Sequence, residues 1–499
     1  LLLTAAGLPR VESGDGLAAA ALVWHEGAPE RRRHPAARNT EIAAKPTNAQ
    51  PGAAVLGAQM LPPMLAQRRA AGFWLAVVLT GVGTGLAAAA LTGLLEVVQH
   101  LVWGSNGLDV LQAATQAPPW RHLAALAGAG LITGAGQLLL TRLSSGNGID
   151  ITAAIWFQAG RLPALRTLGS AVLSVVIVGM GTALGREGAP KQAGAVIANL
   201  ISDRARLSDE ERRLLVACGA GAGMAAAYGV PLGGALFSLE VLRGALALRF
   251  ILPSLLTAIV ATGVSWVFLP DLPTYVIPPY TTSVASVAWA LPAGFIVGLV
   301  SVLYVRAVAW ADAHKPTGWR RVVAPVAVLG LLGAASIPFP QLLGNGHDVA
   351  ELALTGQLGP LLLGALFLLR PLATVGCLGS GAPGGLFTPS LAIGALLGGL
   401  LGAGWSWLWP GVPPGLYALA GSAAMLAATT QGPISAIVLI MELTGFARAA
   451  MLPLLVAVTA ATLIARTIEP RSIYDARLTD SQVRDRQRAR NRAMAESST

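Results

Sequence analysis

The chain has 499 residues, of which 54% are hydrophobic and 12% charged, where an ordinary soluble domain carries about a quarter charged. With a mean hydropathy of +0.64, that balance excludes a soluble globular domain, whose exterior must be wet, and points to an all-α polytopic membrane protein. The formal charge of +10 gathers at the ends, in Arg31–Arg33 and Arg484–Arg492, so nucleic acid is not the partner it implies.

In chain order, residues 1–65 are rich in Ala, Pro and Arg with weak periodicity and predict a disordered tail. "LLLTAAGL" lacks the basic leader of a signal peptide, and Met60 and Met64 stand just before the first apolar run. That run is Phe73–Trp103, with Glu96 in its second half; Ile251–Phe268 and Val284–Val305 are others. Each is close to or beyond the ~20 residues that cross a bilayer. Lys and Arg in short flanks stay cytoplasmic, which predicts both termini inside and an even number of crossings. Cys218 and Cys377 form no CxxC pair, and the six histidines include no HExxH, so neither disulfide, metal nor cofactor is expected.

Three words recur at nearly one offset. "GNGID" (Gly146–Asp150) returns as "GNGHD" (Gly344–Asp348), 198 positions on. "GREGAP" (Gly185–Pro190) corresponds to "GLFTP" (Gly385–Pro389), 200 positions on. "GVPLGGALFSLE" (Gly229–Glu240) matches "GPISAIVLIMEL" in character, with Pro231/Pro433 and Glu240/Glu442 each 202 apart. The order and spacing predict an internal repeat, with halves 66–282 and 283–475 and a basic tail 476–499. Transporters are often built from two such halves of inverted topology, with broken helices meeting at the midplane. Proline costs nothing in a first helical turn, so both breaks predict helix starts at membrane depth. Such starts present unpaired N–H groups and a positive dipole end, which suits a permeating anion. The remaining glycines, including the near-fingerprint "GAGLITG" at Gly128–Gly134, are expected to serve close helix packing.

These words resemble the CLC family of anion channels and anion/proton antiporters, over about 70–475. The family's GSGIP, GKEGP and GxFxP stand here as Gly146-Asn147-Gly148-Ile149-Asp150, Gly185-Arg186-Glu187-Gly188-Ala189 and Gly385-Leu386-Phe387-Thr388-Pro389, followed by Tyr474 in "RSIYDARL". The resemblance implies that Glu187 is the gate and proton carrier. It also implies that Gly146, Asn147, Gly148, Gly188, Leu386, Phe387 and Tyr474 surround the anion. An intramembrane acid is functional by default; the competing expectation is a permanent ion pair with Arg186 or Lys191.

Three departures bear on the anion. Asn147 replaces serine, Asp150 replaces proline, and Ala189 replaces proline ahead of Pro190. The set resembles the fluoride/proton antiporter branch. Fluoride is small and strongly hydrated, and an amide brings two N–H donors where a hydroxyl brings one. Asp150 is expected to point away and cap backbone N–H groups. Val241 occupies the place of the inner glutamate of chloride/proton antiporters, as in the family's channels, while Glu240 and Glu442 are expected to be structural. Asn345 is expected to shape a turn, Thr388 to act as a helix-start hydroxyl, and His347 to be a loop histidine. The function implied is fluoride export in exchange for protons, by a homodimer in a bacterial inner membrane. The alternative is a chloride channel or chloride/proton antiporter. An intramembrane serine protease would need GxSG, which "CLGSGAP" fails at Leu378, so no enzyme is expected.

Overall fold

In lipid the backbone must satisfy itself, which leaves helix as the form for these apolar runs. The computed structural model describes residues 70–104, 110–143, 150–445, 450–478, 481–485 and 488. Among them are seventeen α-helices and no strand. The first half holds α1 (Ala70–Trp103), α2 (Val110–Gln116), α3 (Pro119–Leu143), α4 (Ile151–Phe157), α5 (Ala164–Gly179), α6 (Gly188–Arg204), α7 (Asp209–Tyr228), α8 (Pro231–Phe237) and α9 (Leu248–Ser265). The second holds α10 (Val284–Ala313), α11 (Arg320–Ala335), α12 (His347–Leu354), α13 (Pro360–Gly379), α14 (Phe387–Trp405), α15 (Pro414–Thr430), α16 (Pro433–Leu443) and α17 (Met451–Ile468). Helices α1, α3, α9, α10, α13, α14 and α17 are long and apolar enough to cross a membrane. Large apolar side chains stay exposed on them, such as Leu101, Leu252, Leu303, Leu361 and Leu463, as a lipid-facing surface requires.

Setting α2 aside, each helix of the first half has a counterpart in the second, and the packing repeats with it. α1 packs on α9 as α10 packs on α17; α6 packs on α7 as α14 packs on α15. The two halves are inverted: the end of α1 (Glu96, Gln99, His100) lines one cavity, and Asp312, near the end of α10, lines another. α7 and α15 form the centre, with nearly every residue of α15 buried.

Small residues make this packing possible. A side chain on Gly194 of α6 would strike the Gly219 backbone of α7, and one on Gly394 of α14 would lie 2.6 Å from Gly421 O of α15. Gly130 and Gly134, in "GAGLITG", press against Val326 and Val322 of α11, as close helix packing predicts.

Both central helices end alike, in a left-handed residue two before a proline. Gly229 (φ 67°) precedes Pro231, and Gln431 (φ 59°) precedes Pro433. The short helices that follow exchange caps. Glu442 of α16 accepts from Leu232 N (3.0 Å) and Gly233 N (2.6 Å) at the start of α8. Glu240, in the π-helical turn Ser238–Arg243 after α8, accepts from Ile434 N (3.2 Å) and Ser435 N (2.6 Å) at the start of α16. The structural role expected for this pair is thus a reciprocal one: each half neutralises the other's helix start. Glu442→Ala is expected to cost about 1–2 kcal/mol, read as a lower unfolding midpoint in detergent; an unchanged midpoint would remove the cap from the account.

Candidate functional site

The two breaks lie side by side. α5 ends at Met180 and Gly181 (φ 109°), and the chain runs through Gly185 to Glu187, the N-cap of α6. α13 ends at Ser380 and Gly381 (φ 98°), and the chain runs through Gly385 to Leu386, the N-cap of α14. The loops are tied by an antiparallel pair of bonds, Gly185 N to Gly385 O and Gly385 N to Gly185 O, both 2.8 Å. A Cβ on Gly188 would lie 3.0 Å from Gly385 N, so glycine permits the approach.

Glu187 is fully buried at this junction. Its Oε1 accepts from Phe387 N at 2.7 Å, and its Oε2 accepts from Thr388 Oγ1 at 3.1 Å. Thr388 Oγ1 also shares a 2.9 Å hydrogen bond with Tyr228 Oη at the end of α7. The carboxylate therefore rests on the unpaired N–H groups and positive dipole end of α14. The competing ion pair does not form among the described residues: the Arg186 guanidinium lies 4.8 Å from the Tyr228 ring centroid, and Lys191 Nζ donates to Tyr474 Oη at 3.3 Å.

Two cavities approach this carboxylate without including it. One, of about 620 Å³, has Gly188, Lys191, Gly385, Leu386 and Tyr474 in its wall. The other, of about 430 Å³, has Arg186, Asn345, His347 and Asp348 in its wall. Asp150, the described residue of the first repeated word, thus lines one cavity, and Asn345 of the second word lines the other.

Of the residues singled out in the sequence, Glu187, Gly188, Leu386, Phe387 and Tyr474 are brought together here. Gly146, Asn147 and Gly148 lie outside the described residues. Asp150 does cap α4, accepting from Thr152 N at 2.8 Å, and also lies 3.5 Å from Arg477. Arg477 bonds Asp312 at 3.2 Å, and Asp312 pairs with Lys315. Burial, and then the Arg477 guanidinium, hold Lys315 below the ordinary lysine value. Val241 is buried in the π-helical turn, packed toward Gly432, and lines neither cavity. Asn345 Oδ1 accepts from His347 N at 3.2 Å, a local turn as expected. His347 opens α12 and stacks on Tyr275 at 4.9 Å; it belongs to a helix, not a loop.

Three participants were not legible as such. Thr388 does more than start a helix, because it touches the carboxylate. Tyr228 supports it from a helix with no motif. Arg370, fully buried in α13, donates to Leu342 O (2.7 Å) and Gly344 O (2.6 Å) and so anchors "GNGHD".

Similarity to known proteins gives the context. The family model described as voltage gated chloride channel matches residues 129–466. The voltage-gated ClC-type chloride channel ClcB of Citrobacter koseri is 32% identical over 79% of this chain and 96% of its own length. ClcB of Escherichia coli O17:K52:H18 is 34% identical over 78% and 95%. A slow cyanobacterial Cl⁻/H⁺ antiporter superposes with a TM-score of 0.72 at 24% identity, covering 83% of this chain and 98% of that one. A CLC-type fluoride/proton antiporter superposes at 0.67 and 22% identity, covering 83% and 99%; at these identities the structures show the shared fold. Two inverted halves, paired loops and a buried glutamate thus coincide with sequence matches over most of the chain, which belongs to the voltage-gated chloride channel (CLC) family.

Proposed function

We propose that the chain exchanges a halide for a proton across a bacterial inner membrane, with Glu187 as both gate and proton carrier. The observation that supports this most is the Glu187 carboxylate seated on Phe387 N–H and Thr388 Oγ1 between two cavities. Ionised, the carboxylate occupies donors that would otherwise hold an anion. Protonated, it loses most of its claim on them, because the charge-assisted bonds become ordinary ones. An anion can then take its place, with Leu386 and Phe387 offering backbone N–H groups, Gly188 letting it approach, and Tyr474 donating from the larger cavity. Arg166, Lys191, Lys315 and Arg477 line that cavity, which by the positive-inside tendency supports a cytoplasmic position for it, the side on which the basic ends of the sequence are expected. The described residues that meet around Glu187 come from both halves of one chain, so a homodimer would carry two pathways, each built from halves 66–282 and 283–475.

The names of the relatives at 32–34% identity favour chloride as the anion. A second reading, fluoride export, is favoured by Asn147 with its two amide donors. Reconstitution into liposomes with chloride and fluoride electrodes and a pH probe separates them. The expected result is a chloride gradient that drives uphill proton movement. Proton movement driven by fluoride alone would select the second reading and make Asn147→Ser the next variant. Anion flux with no proton movement would replace exchange by a channel, in keeping with Val241.

A further inference from the structure

The wall of the larger cavity holds a buried ammonium that forms no ion pair with the gate. Lys191 stands one helical turn after Glu187 in α6, lines that cavity and is 5% exposed. Its ammonium donates to Tyr474 Oη at 3.3 Å and lies 4.9 Å from the Tyr474 ring and 5.3 Å from the Phe237 ring. Both partner side chains are neutral. Among the described residues no carboxylate lies within 4 Å of it; Asp150 and Asp312, in the same wall, pair with Arg477 and Lys315 instead. An ammonium brings three donors, and one long bond with two aromatic faces satisfies only part of that demand. Glu187 and Asp150 act on it only through space, and a buried ammonium without a direct ion-pair partner is disfavoured. Its unused donors suit an anion, and the cavity wall that holds Lys191 also holds Gly188, Leu386 and Tyr474.

We propose that Lys191 adds an ammonium ligand to the anion position that Tyr474 faces on the cavity side of Glu187, as counter-charge to the transported halide. This rests on the anion-transport reading above and adds a ligand that the family's motifs do not contain. A halide can wait in this subsite while the carboxylate occupies the α14 donors. It moves inward when Glu187 takes a proton and vacates them. A point charge on a flexible stem suits a spherical ion, which gains nothing from a planar fork.

The test is halide titration of the full chain purified in detergent, with sodium chloride or sodium fluoride against sodium gluconate, read by calorimetry and by the unfolding midpoint. Lys191→Met is expected to weaken halide binding by about tenfold or more and to flatten the halide-dependent rise of the midpoint. Lys191→Arg should keep most of both, and Tyr474→Phe should lose less than Lys191→Met. A merely structural lysine would lower the midpoint equally with and without halide and leave the affinity unchanged, which overturns the subsite. Should the methionine variant not fold, Lys191→Gln in the same titration decides on the same criterion. A wild type that exchanges halide for protons while Lys191→Met binds as tightly sinks the subsite alone. A wild type with neither binding nor Glu187-dependent flux sinks the transport reading with it.

Discussion

Replacing Glu187 with glutamine should leave the anion pathway passable while removing the coupling of anion to proton movement. Glutamine keeps the shape of the side chain. Its amide oxygen can still accept from Phe387 N, where Glu187 Oε1 now does so at 2.7 Å. Its amide nitrogen would face Thr388 Oγ1, which can turn to accept because it already shares a hydrogen bond with Tyr228 Oη. Packing at this fully buried position should therefore survive. What is lost is the negative charge and the proton that comes and goes with it. An ionised acceptor on a helix start is about twice as strong as a neutral one, so the amide should yield its donors to a halide at every pH. In liposomes, proton movement driven by a halide gradient is expected to fall at least about a hundredfold, the scale of a lost proton-transfer group, with anion flux retained and no longer dependent on pH. Persistent proton coupling in Glu187→Gln would place the proton carrier elsewhere.

The second large effect is expected at a residue with no side chain. A Cβ on Gly385 would collide with the Glu187 carboxylate and reach within 3.0 Å of Gly188 N. Gly385 does not have a positive φ among the described glycines, so alanine is not excluded by its own backbone. The strain falls on the carboxylate, which must leave Phe387 N–H. Gly385→Ala is expected to hold the gate open, with proton coupling reduced at least about tenfold and stability lowered by about 2 kcal/mol through the lost charged hydrogen bonds. The double variant Gly385→Ala/Glu187→Ala supplies the control. Removing the carboxylate makes room for the methyl group, so the two stability losses should not add. Simple additivity would show that Cβ and carboxylate do not compete for one place, and would remove the steric basis of the gate.

Much of this site was legible before any packing was known, but unevenly. Gly185–Pro190 and Gly385–Pro389 could be recognised as helix starts because glycine and proline act locally. The ion-pair alternative for Glu187 could not be dismissed from the chain, since Arg186 and Lys191 are its neighbours in sequence. Packing decided it: Arg186 turns to the Tyr228 ring and Lys191 to Tyr474. Thr388 was visible in its word, yet its contact with a carboxylate 201 positions away was not. Lys191 was visible too, one helical turn from Glu187; its lack of a carboxylate partner is a property of the assembled cavity. The fluoride expectation drew on Asn147, Asp150 and Ala189, of which Asn147 lies outside the described residues, while the relatives named for chloride match most of the chain.

By itself the sequence determined that the chain lives in a membrane, that it is doubled, and that each half breaks its helices at corresponding glycines and prolines. Those are properties of hydropathy and local backbone freedom, which neighbouring residues settle among themselves. Only the tertiary structure decided which groups meet: Gly185 with Gly385, Glu187 with Phe387 and Thr388, Glu240 and Glu442 each on the other half's helix start. The reason is that a helix end leaves its N–H groups without partners, and in a buried interior the partner is whatever acceptor packing delivers, here from some 200 positions away.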